Sequence, residues 1–428
     1  MPSDRLNEFL SQPAEARPVA LEGRWLDEGA DVCWVAAKPV SLLEGSSDAL
    51  RELPAWLDCQ ARKFPDGAAI GFLSYELARH FESLPLTTCP SLPDVSFAYY
   101  PHMKRIRADK TEPPKLDDAI HVSSRVDFEM YCRAVERIRG YIAAGDIYQA
   151  NLTIPFGAEL GGESPESIYR RMRCSGASFR AFLKTPHRAI LSNSPERFFR
   201  VAGNHILTSP IKGTIARDRG DRQRSQAALL ASEKDRAENL MIVDLLRNDL
   251  GRICDYASIR TRLWETQMLP QLIHLVSHVE GTLRPQIGIL EILRAIFPCG
   301  SITGAPKIRA MEILAEVEQA PRGISMGAIG IIRSARDSDR CTMDFNVAIR
   351  TMIIEEGKAI FNVGGGIVYD SDPVSEYEEV MLKAEPLFVA LGACKAESSR
   401  QKAEGSKRKA ESGKQKAVSA KIKARRDF

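Results

Sequence analysis

The predicted strands of this chain come in groups that are interrupted by helices, and this order limits the folds that it can adopt. Apolar residues recur at helical spacing over 127–144 and 375–391, whereas 148–156 and 358–368 have the pattern of strands. Because the strands do not alternate one by one with helices, the order favours an α+β fold over a doubly wound sheet. Further strands are predicted at 188–195, 197–210, 328–334 and 344–354, and further helices at 164–174 and 224–250.

Length and composition exclude several classes of protein. The chain has 428 residues, more than a single hydrophobic core usually spans, so one large domain or two interlocked ones are expected. No stretch reaches the roughly 18 consecutive apolar residues of a membrane span, and residues 1–18 lack the basic and apolar parts of a leader, so a cytoplasmic protein is expected. The nine cysteines form no CxxC pair or Cys/His cluster, which argues against disulfides and zinc.

Two segments differ in composition from the rest. Residues 101–124 are rich in Pro, Lys and Asp, which predicts a surface connection. From Lys395 a lysine-alanine unit recurs every seven residues, but only alanine repeats at the would-be core positions, so no coiled-coil seam can form. We therefore predict that 392–428 is a disordered, solvated basic tail. Binding of nucleic acid or another acidic partner by this tail is the alternative.

Two carboxylate pairs share one spacing. Asp235 with Glu238, and Glu376 with Glu379, lie at i and i+3 on predicted helices, so each pair lies on one helix face. Lysines one helical turn away can neutralise either pair, which is the ordinary reading of such charges. If the two helices face each other, the four carboxylates can instead hold a hard cation through oxygen ligands and waters, which suits Mg²⁺.

Two further features predict contacts with anions. Three glycines, Gly364, Gly365 and Gly366, follow a predicted strand, and the absence of Cβ atoms lets backbone N–H groups approach an anion. Arg350 alternates with apolar neighbours on a predicted strand, where a guanidinium is costly unless it meets an anion such as a carboxylate. The segment 300–307 lacks the residue order of a phosphate loop, which argues against a nucleoside triphosphate.

Taken together, these motifs resemble those of the chorismate-utilising enzymes, and most closely the branch that aminates chorismate at C4. The resemblance runs from about Ala68 to Leu391 with all motifs in family order. It implies an anthranilate synthase component I-like fold, a central β-sandwich of two halves flanked by helices. Residues 1–100 would be the N-terminal part of this fold and 125–391 the chorismate-binding catalytic domain. The motifs are GDIYQANLT, SPERF, PIKGT, AENLMIVDLLRNDLGR, HLVSHVEG, FPCGSITGAPKIRAMEI, DFNVAIRT, NVGGGIV and SEYEEVMLKAE.

The resemblance implies a role for each motif. Glu238 and Glu379 would bind Mg²⁺, which holds the ring carboxylate of chorismate, with Asp235 and Glu376 helping through water. Other residues would contact the substrate. These are Arg350 and Gly364 to Gly366 at carboxylate groups, Thr303 and Lys307 in the motif that lines the pocket, and His274 near the ring.

The residue before the glycine of PIKGT separates two branches of the family. Anthranilate synthases usually carry alanine there, whereas the C4-aminating enzymes commonly carry lysine, as this chain does at Lys212. The resemblance implies that the amine of this lysine attacks C2 of chorismate and expels the 4-hydroxyl, leaving C4 open to ammonia. Glu196 would accept the proton of the lysine and pass one to the departing hydroxyl.

Gln149 favours an amine as the incoming nucleophile. Family members that add water carry a lysine base at the matching place, and a glutamine side chain cannot deprotonate water. Ammonia needs no such base. No glutaminase motif is present, so a separate glutamine amidotransferase subunit is implied. Ser325 is a departure, because the family commonly carries an aromatic residue there.

Three functional hypotheses follow from the sequence. The first is amination of chorismate to 4-amino-4-deoxychorismate for 4-aminobenzoate and folate synthesis. The second keeps the fold but makes anthranilate for tryptophan synthesis, and Lys212 argues against it. The third is a non-catalytic protein that binds nucleic acid through the basic tail, which the intact acidic and arginine motifs oppose.

Overall fold

The computed structural model describes residues 5–107, 113–114, 119–216, 222–268, 272–333 and 341–393. Residues 394–428 of the predicted tail and part of the predicted surface connection lie outside these residues. The strands are β1 (Val19–Gly23), β2 (Val32–Ala36), β3 (Ser41–Gly45), β4 (Ala68–Leu73), β5 (Val95–Tyr100), β6 (Lys104–Arg107), β7 (Val122–Ser123), β8 (Gln149–Glu159), β9 (Phe179–Lys184), β10 (Arg188–Ser194), β11 (Arg197–Ala202), β12 (His205–Ser209), β13 (Ile211–Ala216), β14 (Arg260–Met268), β15 (Leu272–Thr282), β16 (Gly304–Ala305), β17 (Ala328–Arg333), β18 (Thr342–Val347), β19 (Thr351–Glu355) and β20 (Lys358–Ile367).

The α-helices follow the predicted positions and add others. Helix α3, Phe128–Ala143, matches the prediction over 127–144: its N-cap Asp127 accepts a hydrogen bond from the amide of Met130. The predicted helix 224–250 is two helices, because Ser232 caps the second one through the amide of Asp235. The helices are α1 (Arg5–Leu10), α2 (Ser47–Lys63), α3 (Phe128–Ala143), α4 (Pro165–Met172), α5 (Arg222–Ala231), α6 (Glu233–Gly251), α7 (Ile289–Ile296), α8 (Lys307–Val317) and α9 (Pro373–Ala390).

The strands form two large, antiparallel sheets. The first sheet has the order β16-β8-β20-β19-β10-β9-β1-β2-β6, and β7 pairs with β8. The second sheet has the order β13-β15-β12-β11-β18-β17-β4-β5-β3, and β14 pairs with β15. Strands from before residue 100 pair with strands from after residue 125 in both sheets, so the two parts of the chain share one architecture.

The two sheets pack face to face and helices cover their outer faces. Leu21 and Ile190 of the first sheet lie in one buried cluster with Phe72 and Ile331 of the second. Helices α2, α6 and α7 pack on the outside of the second sheet, and α3, α4, α8 and α9 on the outside of the first. The prediction of an α+β fold with a central sandwich flanked by helices is therefore confirmed. No helix in the described part of the chain is long and apolar enough to cross a membrane.

Candidate active site

A β-bulge in the second sheet directs Lys212. Strands β13 and β15 pair at Ile211 with Val276 and again at Thr214 with His274, so three steps on β13 oppose two on β15. The residues between these two pairs on β13, Lys212 and Gly213, form the bulge. Gly213 has a φ of +94°, and a Cβ there would lie 3.0 Å from Cβ of Asp235, so only glycine suits this turn against helix α6. The bulge interrupts the alternation of side chains and re-aims the lysine.

The Lys212 ammonium lies against the glycine-rich end of β20, in the first sheet. A Cβ at Gly366 would come within 3.6 Å of Lys212 Nζ and 2.6 Å of Gln149 Nε2. Gln149 is fully buried, and neither atom of its amide has a hydrogen-bond partner among the described residues. Because buried amides are nearly always paired in native proteins, these free atoms indicate a place for a polar ligand. The predicted residues Lys212, Gln149 and Gly366 thus meet.

Burial favours the neutral form of Lys212. Burial lowers its pKa, and the nearby ammonium of Lys383 lowers it further, while the carboxylates of Glu238, Glu196 and Glu379 act in the opposite direction. The pKa of Lys212 remains below its ordinary value. A lowered pKa is what a lysine needs in order to act as a nucleophile near neutral pH.

Glu196 lies beside Lys212, on the loop between β10 and β11. Its carboxylate is buried, and Oε1 is 3.5 Å from the amide nitrogen of Ile211, which precedes Lys212. Burial raises its pKa to about 7, against a hydrogen bond from the Ser301 hydroxyl and the charge of Lys212, which lower it. Near neutral pH this group can therefore both accept and donate a proton.

Ser301 was missed by the sequence analysis. It lies in the GSITGAPK segment, is buried, hydrogen-bonds Glu196, and lies 3.3 Å from Sγ of Cys299. In this segment the sequence predicted pocket residues at Thr303 and Lys307 only. Ser301 follows a glycine, but its partner is about 100 positions away in the sequence and no local pattern identifies it.

His274 and Arg350 lie near each other at the same site. Nδ1 of His274 is 2.7 Å from Oγ1 of Thr214, whereas Nε2 has no partner among the described residues. Burial and the positive charge of Arg350 lower the pKa of His274 to about 4, so the ring is neutral near pH 7. Burial also lowers the pKa of Arg350. An anion that pairs with this guanidinium would relieve the cost of burying it.

The prediction that Arg350 lies on a strand is wrong. The predicted strand 344–354 is broken into β18 and β19, and Arg350 lies in the turn between them with a φ of +49°. Its carbonyl accepts a hydrogen bond from the amide of Asn193. Apolar alternation continues across the break, which is why the sequence pattern hid the turn.

Helices α6 and α9 carry one carboxylate pair each, and Glu238 of one pair lies close enough to Glu379 of the other to interact electrostatically. Burial raises the pKa of Glu238, and the charge of Glu379 raises it further. Burial also raises the pKa of Glu379, but the surrounding lysines, with Lys383 at 2.7 Å first among them, together lower it below its ordinary value. Oε1 of Glu376 accepts a hydrogen bond from Ser371. Four carboxylates from two helices are a donor set that suits Mg²⁺.

In the present arrangement, lysines neutralise these carboxylates. Lys383 pairs with Glu379, and Lys234 lies 4.0 Å from Glu238. No three acidic, histidine or cysteine side chains of the described residues converge closely enough to hold a metal ion. Their oxygens are the donor type that a hard cation prefers, but a closed site requires the side chains to move closer together, and a cation that binds Glu379 has to displace Lys383.

Lys307 and Thr303, which were predicted to belong to the motif that lines the pocket, form hydrogen bonds with other residues of the protein. Nζ of Lys307 is 2.6 Å from Asp249 and 3.0 Å from the carbonyl of Ile296, which ties α8 to α6 and α7. Thr303 is fully buried; its hydroxyl donates to the carbonyls of Cys299 and Gly300. Both residues support the segment that carries Ser301.

The other two glycines of β20 adjoin different groups. A Cβ at Gly364 would lie 2.4 Å from the carbonyl oxygen of Leu152, so the two strands approach too closely for any other residue. A Cβ at Gly365 would lie 3.7 Å from both Glu376 Oε2 and Lys383 Nζ. The glycines thus bring the backbone of β20 close to the acidic cluster on one face and to Lys212 on the other.

Ser325 links two segments next to β20. Its hydroxyl donates to the carbonyl of Thr351 and accepts a hydrogen bond from the amide of Asn362. The serine is buried, and its two hydrogen bonds join the backbone of Thr351 to that of Asn362.

Comparison with known proteins identifies the family of this chain. Residues 36–389 match the family described as chorismate binding enzyme. Aminodeoxychorismate synthase component 1 of Salmonella typhimurium is 37% identical over 348 residues, which cover 74% of this chain and 75% of that protein. Anthranilate synthase component 1 of Streptomyces coelicolor is 31% identical over 420 residues, which cover 85% of this chain and 81% of that protein.

The fold has solved counterparts. The crystal structure of anthranilate synthase component I from Streptococcus pneumoniae superposes with a TM-score of 0.70 and 27% sequence identity, covering 85% of this chain and 93% of that one. Since the family match spans most of the chain and the architecture is shared, the sequence and the fold lead to one assignment. The chain belongs to the chorismate-binding enzyme family and is an enzyme that acts on chorismate.

Proposed function

We propose that this enzyme aminates chorismate at C4, releasing water and 4-amino-4-deoxychorismate. The proposal rests mainly on the buried amine of Lys212. The bulge in β13 directs this amine toward Gly366, and the carboxylate of Glu196 interacts with it electrostatically. The aminodeoxychorismate synthase relative supports the same reaction. The product would serve the synthesis of 4-aminobenzoate and folate.

The covalent step uses Lys212 and Glu196 in turn. The neutral amine of Lys212 attacks C2, both conjugated ring double bonds shift by one bond, and the C4–O bond breaks. Glu196 takes a proton from the newly bonded nitrogen and gives one to the departing hydroxyl, which leaves as water. Ammonia then attacks C4, both double bonds shift back, and the bond between C2 and Lys212 breaks. The surplus proton of the ammonia-derived nitrogen returns to the Lys212–Glu196 pair, so the sum is chorismate plus ammonia to aminodeoxychorismate plus water.

The substrate carboxylates would be held by Arg350, by the backbone of Gly364 to Gly366 and by Mg²⁺. Glu238 and Glu379 would hold this ion directly, and Asp235 and Glu376 through water. When bound, the ion would neutralise and orient the ring carboxylate. The proximity of Glu238 to Glu379 and the burial of Arg350 support this arrangement.

Replacing Glu379 with glutamine is expected to weaken Mg²⁺ binding by at least about tenfold, because one anionic oxygen donor is lost. The measurement is calorimetric titration of the protein with MgCl₂ in the presence of chorismate at low temperature. Glu378→Gln, one position earlier on the same helix, is the matched control and should bind Mg²⁺ as the unmodified protein does. Equal affinities for all three proteins would exclude Glu379 as a ligand.

Replacing Ser301 with alanine is expected to raise the pKa of Glu196 above about 7, because the lost hydrogen bond favours the ionised form. Since the first step needs ionised Glu196, the rise of kcat on the acid side should move to higher pH, by about one unit. Ser192→Ala removes another buried serine, which is bonded to Thr351, and should leave the profile in place. An unshifted profile in Ser301→Ala would refute the role given to Ser301.

Ammonia would come from a separate glutamine amidotransferase. The relative from Salmonella typhimurium is named component 1, which supports a second component for this chain as well. Gln149, which cannot act as a base toward water, supports ammonia as the nucleophile. We expect free glutamine to serve as nitrogen source only when such a partner is added, whereas ammonium salts should suffice for this chain alone.

Anthranilate synthesis is the second candidate, and the similarity to the Streptomyces coelicolor protein favours it. It requires amination at C2, the carbon that Lys212 would occupy in the covalent step. The identity of the product formed from chorismate and ammonium separates the two candidates.

A further inference from the structure

We propose that Thr214 is a positioning residue that fixes the ring orientation and the tautomer of His274. This inference rests on the proposed function, because it concerns the site in which chorismate would react. The role is distinct from those of Lys212 and Glu196, since Thr214 would act through the imidazole and not on the reacting atoms.

The geometry of the strand pair places the hydroxyl of Thr214 beside the ring of His274. Thr214 and His274 lie directly opposite each other on β13 and β15, immediately after the bulge at Lys212. Opposed residues of an antiparallel pair project to the same face, and here Oγ1 of Thr214 is 2.7 Å from Nδ1 of His274. The bulge that directs Lys212 therefore also sets the register that brings the hydroxyl to the ring.

The ring nitrogen of His274 that Thr214 does not contact is the second feature of this pair. His274 is 1% exposed, and its Nε2 has no partner among the described residues. A neutral imidazole has one donor and one acceptor nitrogen, so the role that Nδ1 takes with Thr214 decides what Nε2 offers. Buried polar atoms are normally paired, so the free Nε2 is available to a bound substrate.

The side chain of Thr214 contributes little to the packing of the core. Thr214 is exposed, so its side chain fills no part of the core. Valine has the shape and the strand preference of threonine, so its introduction should leave β13 in place. Thr208 gives a matched control: it lies on β12, which also pairs with β15, is buried, and donates to the carbonyl of Val279 and not to a side chain.

The test combines ¹⁵N NMR of histidine-labelled protein, without substrate, and steady-state kinetics of Thr214→Val, Thr214→Ser and Thr208→Val. The signals of His274 are assigned by their loss in His274→Gln. We expect one tautomer in the unmodified protein and in Thr214→Ser, and changed ¹⁵N shifts of the ring in Thr214→Val. We also expect Thr214→Val to lower kcat about 10- to 100-fold, with KM changed far less, and Thr214→Ser to restore most of the rate.

Two outcomes would overturn the proposal. One is that Thr214→Val leaves the ¹⁵N shifts of His274 unchanged, whatever happens to the rate. The other is that Thr208→Val alters those shifts as much as Thr214→Val does, which would mean that any change in this sheet disturbs the ring. Because the NMR measurement is made without substrate, formation of anthranilate would refute the proposed function and leave the inference about Thr214 standing.

Discussion

Replacing Lys212 with alanine is expected to lower the rate of C4 amination by at least about 10³-fold, since the variant lacks the nucleophile that opens the reaction. The amine of Lys212 is buried beside Gly366 and interacts electrostatically with Glu196. Among the described residues, the nearby amine of Lys383 is held in an ion pair by Glu379, so it is not free to take over this role. The measurement is the rate of product formation from chorismate and ammonium at saturating Mg²⁺, with chromatographic identification of every product.

The matched variant for this prediction is Lys212→Arg. It keeps a long cationic side chain, but a guanidinium stays protonated and cannot attack carbon. Both variants should therefore lose the reaction, and any residual activity should be diverted to another product. If Lys212→Ala makes the same C4-aminated product at an undiminished rate, the covalent role of this lysine is wrong.

Replacing Glu196 with glutamine is expected to lower kcat by about 10² to 10⁴-fold, the range usual for loss of a general acid–base group. Glutamine keeps the shape and accepts the hydrogen bond of Ser301, but it neither takes a proton from Lys212 nor gives one to the hydroxyl. The pH dependence of the residual rate should no longer contain the titration near 7 that Glu196 supplies. A variant that keeps both its rate and its pH profile would contradict this assignment.

The same variant has a predicted effect on stability that does not depend on substrate. Burial raises the pKa of Glu196 from an ordinary 4.5 to about 7. The contribution of this group to folding is thus fully present below about 4.5 and is lost as the pH rises through about 7. Urea unfolding of Glu196→Gln across this interval should show a smaller fall in the free energy of unfolding than the unmodified protein.

Local patterns in the sequence were enough to predict some of the helices and strands. Helix α3 and strand β20 follow from apolar spacing and from flanking residues that end them, and the structure has both. The strands before residue 66 carry little pattern of their own. Val19–Gly23 is buried along its whole length and pairs with Phe179–Lys184, so it is a strand because of a distant partner.

In the candidate site, too, some features follow from local sequence patterns and others depend on contacts between distant residues. The carboxylates at i and i+3 share a helix face, and a helical period is enough to predict this. The bond of Thr214 to His274 and that of Ser301 to Glu196 join residues far apart in the chain. The bulge at Lys212 depends on the register of β13 against β15, which no local pattern encodes. The partners of Lys307 likewise became visible only in the fold.

The most direct test of the central claim is the identity of the product. The purified protein is incubated with chorismate, Mg²⁺ and ammonium at mildly alkaline pH, with and without an added aminodeoxychorismate lyase, and the products are separated by chromatography. The account predicts 4-aminobenzoate that appears only when the lyase is present. Anthranilate formed without the lyase would contradict it, and would mean that Lys212 does not direct amination to C4.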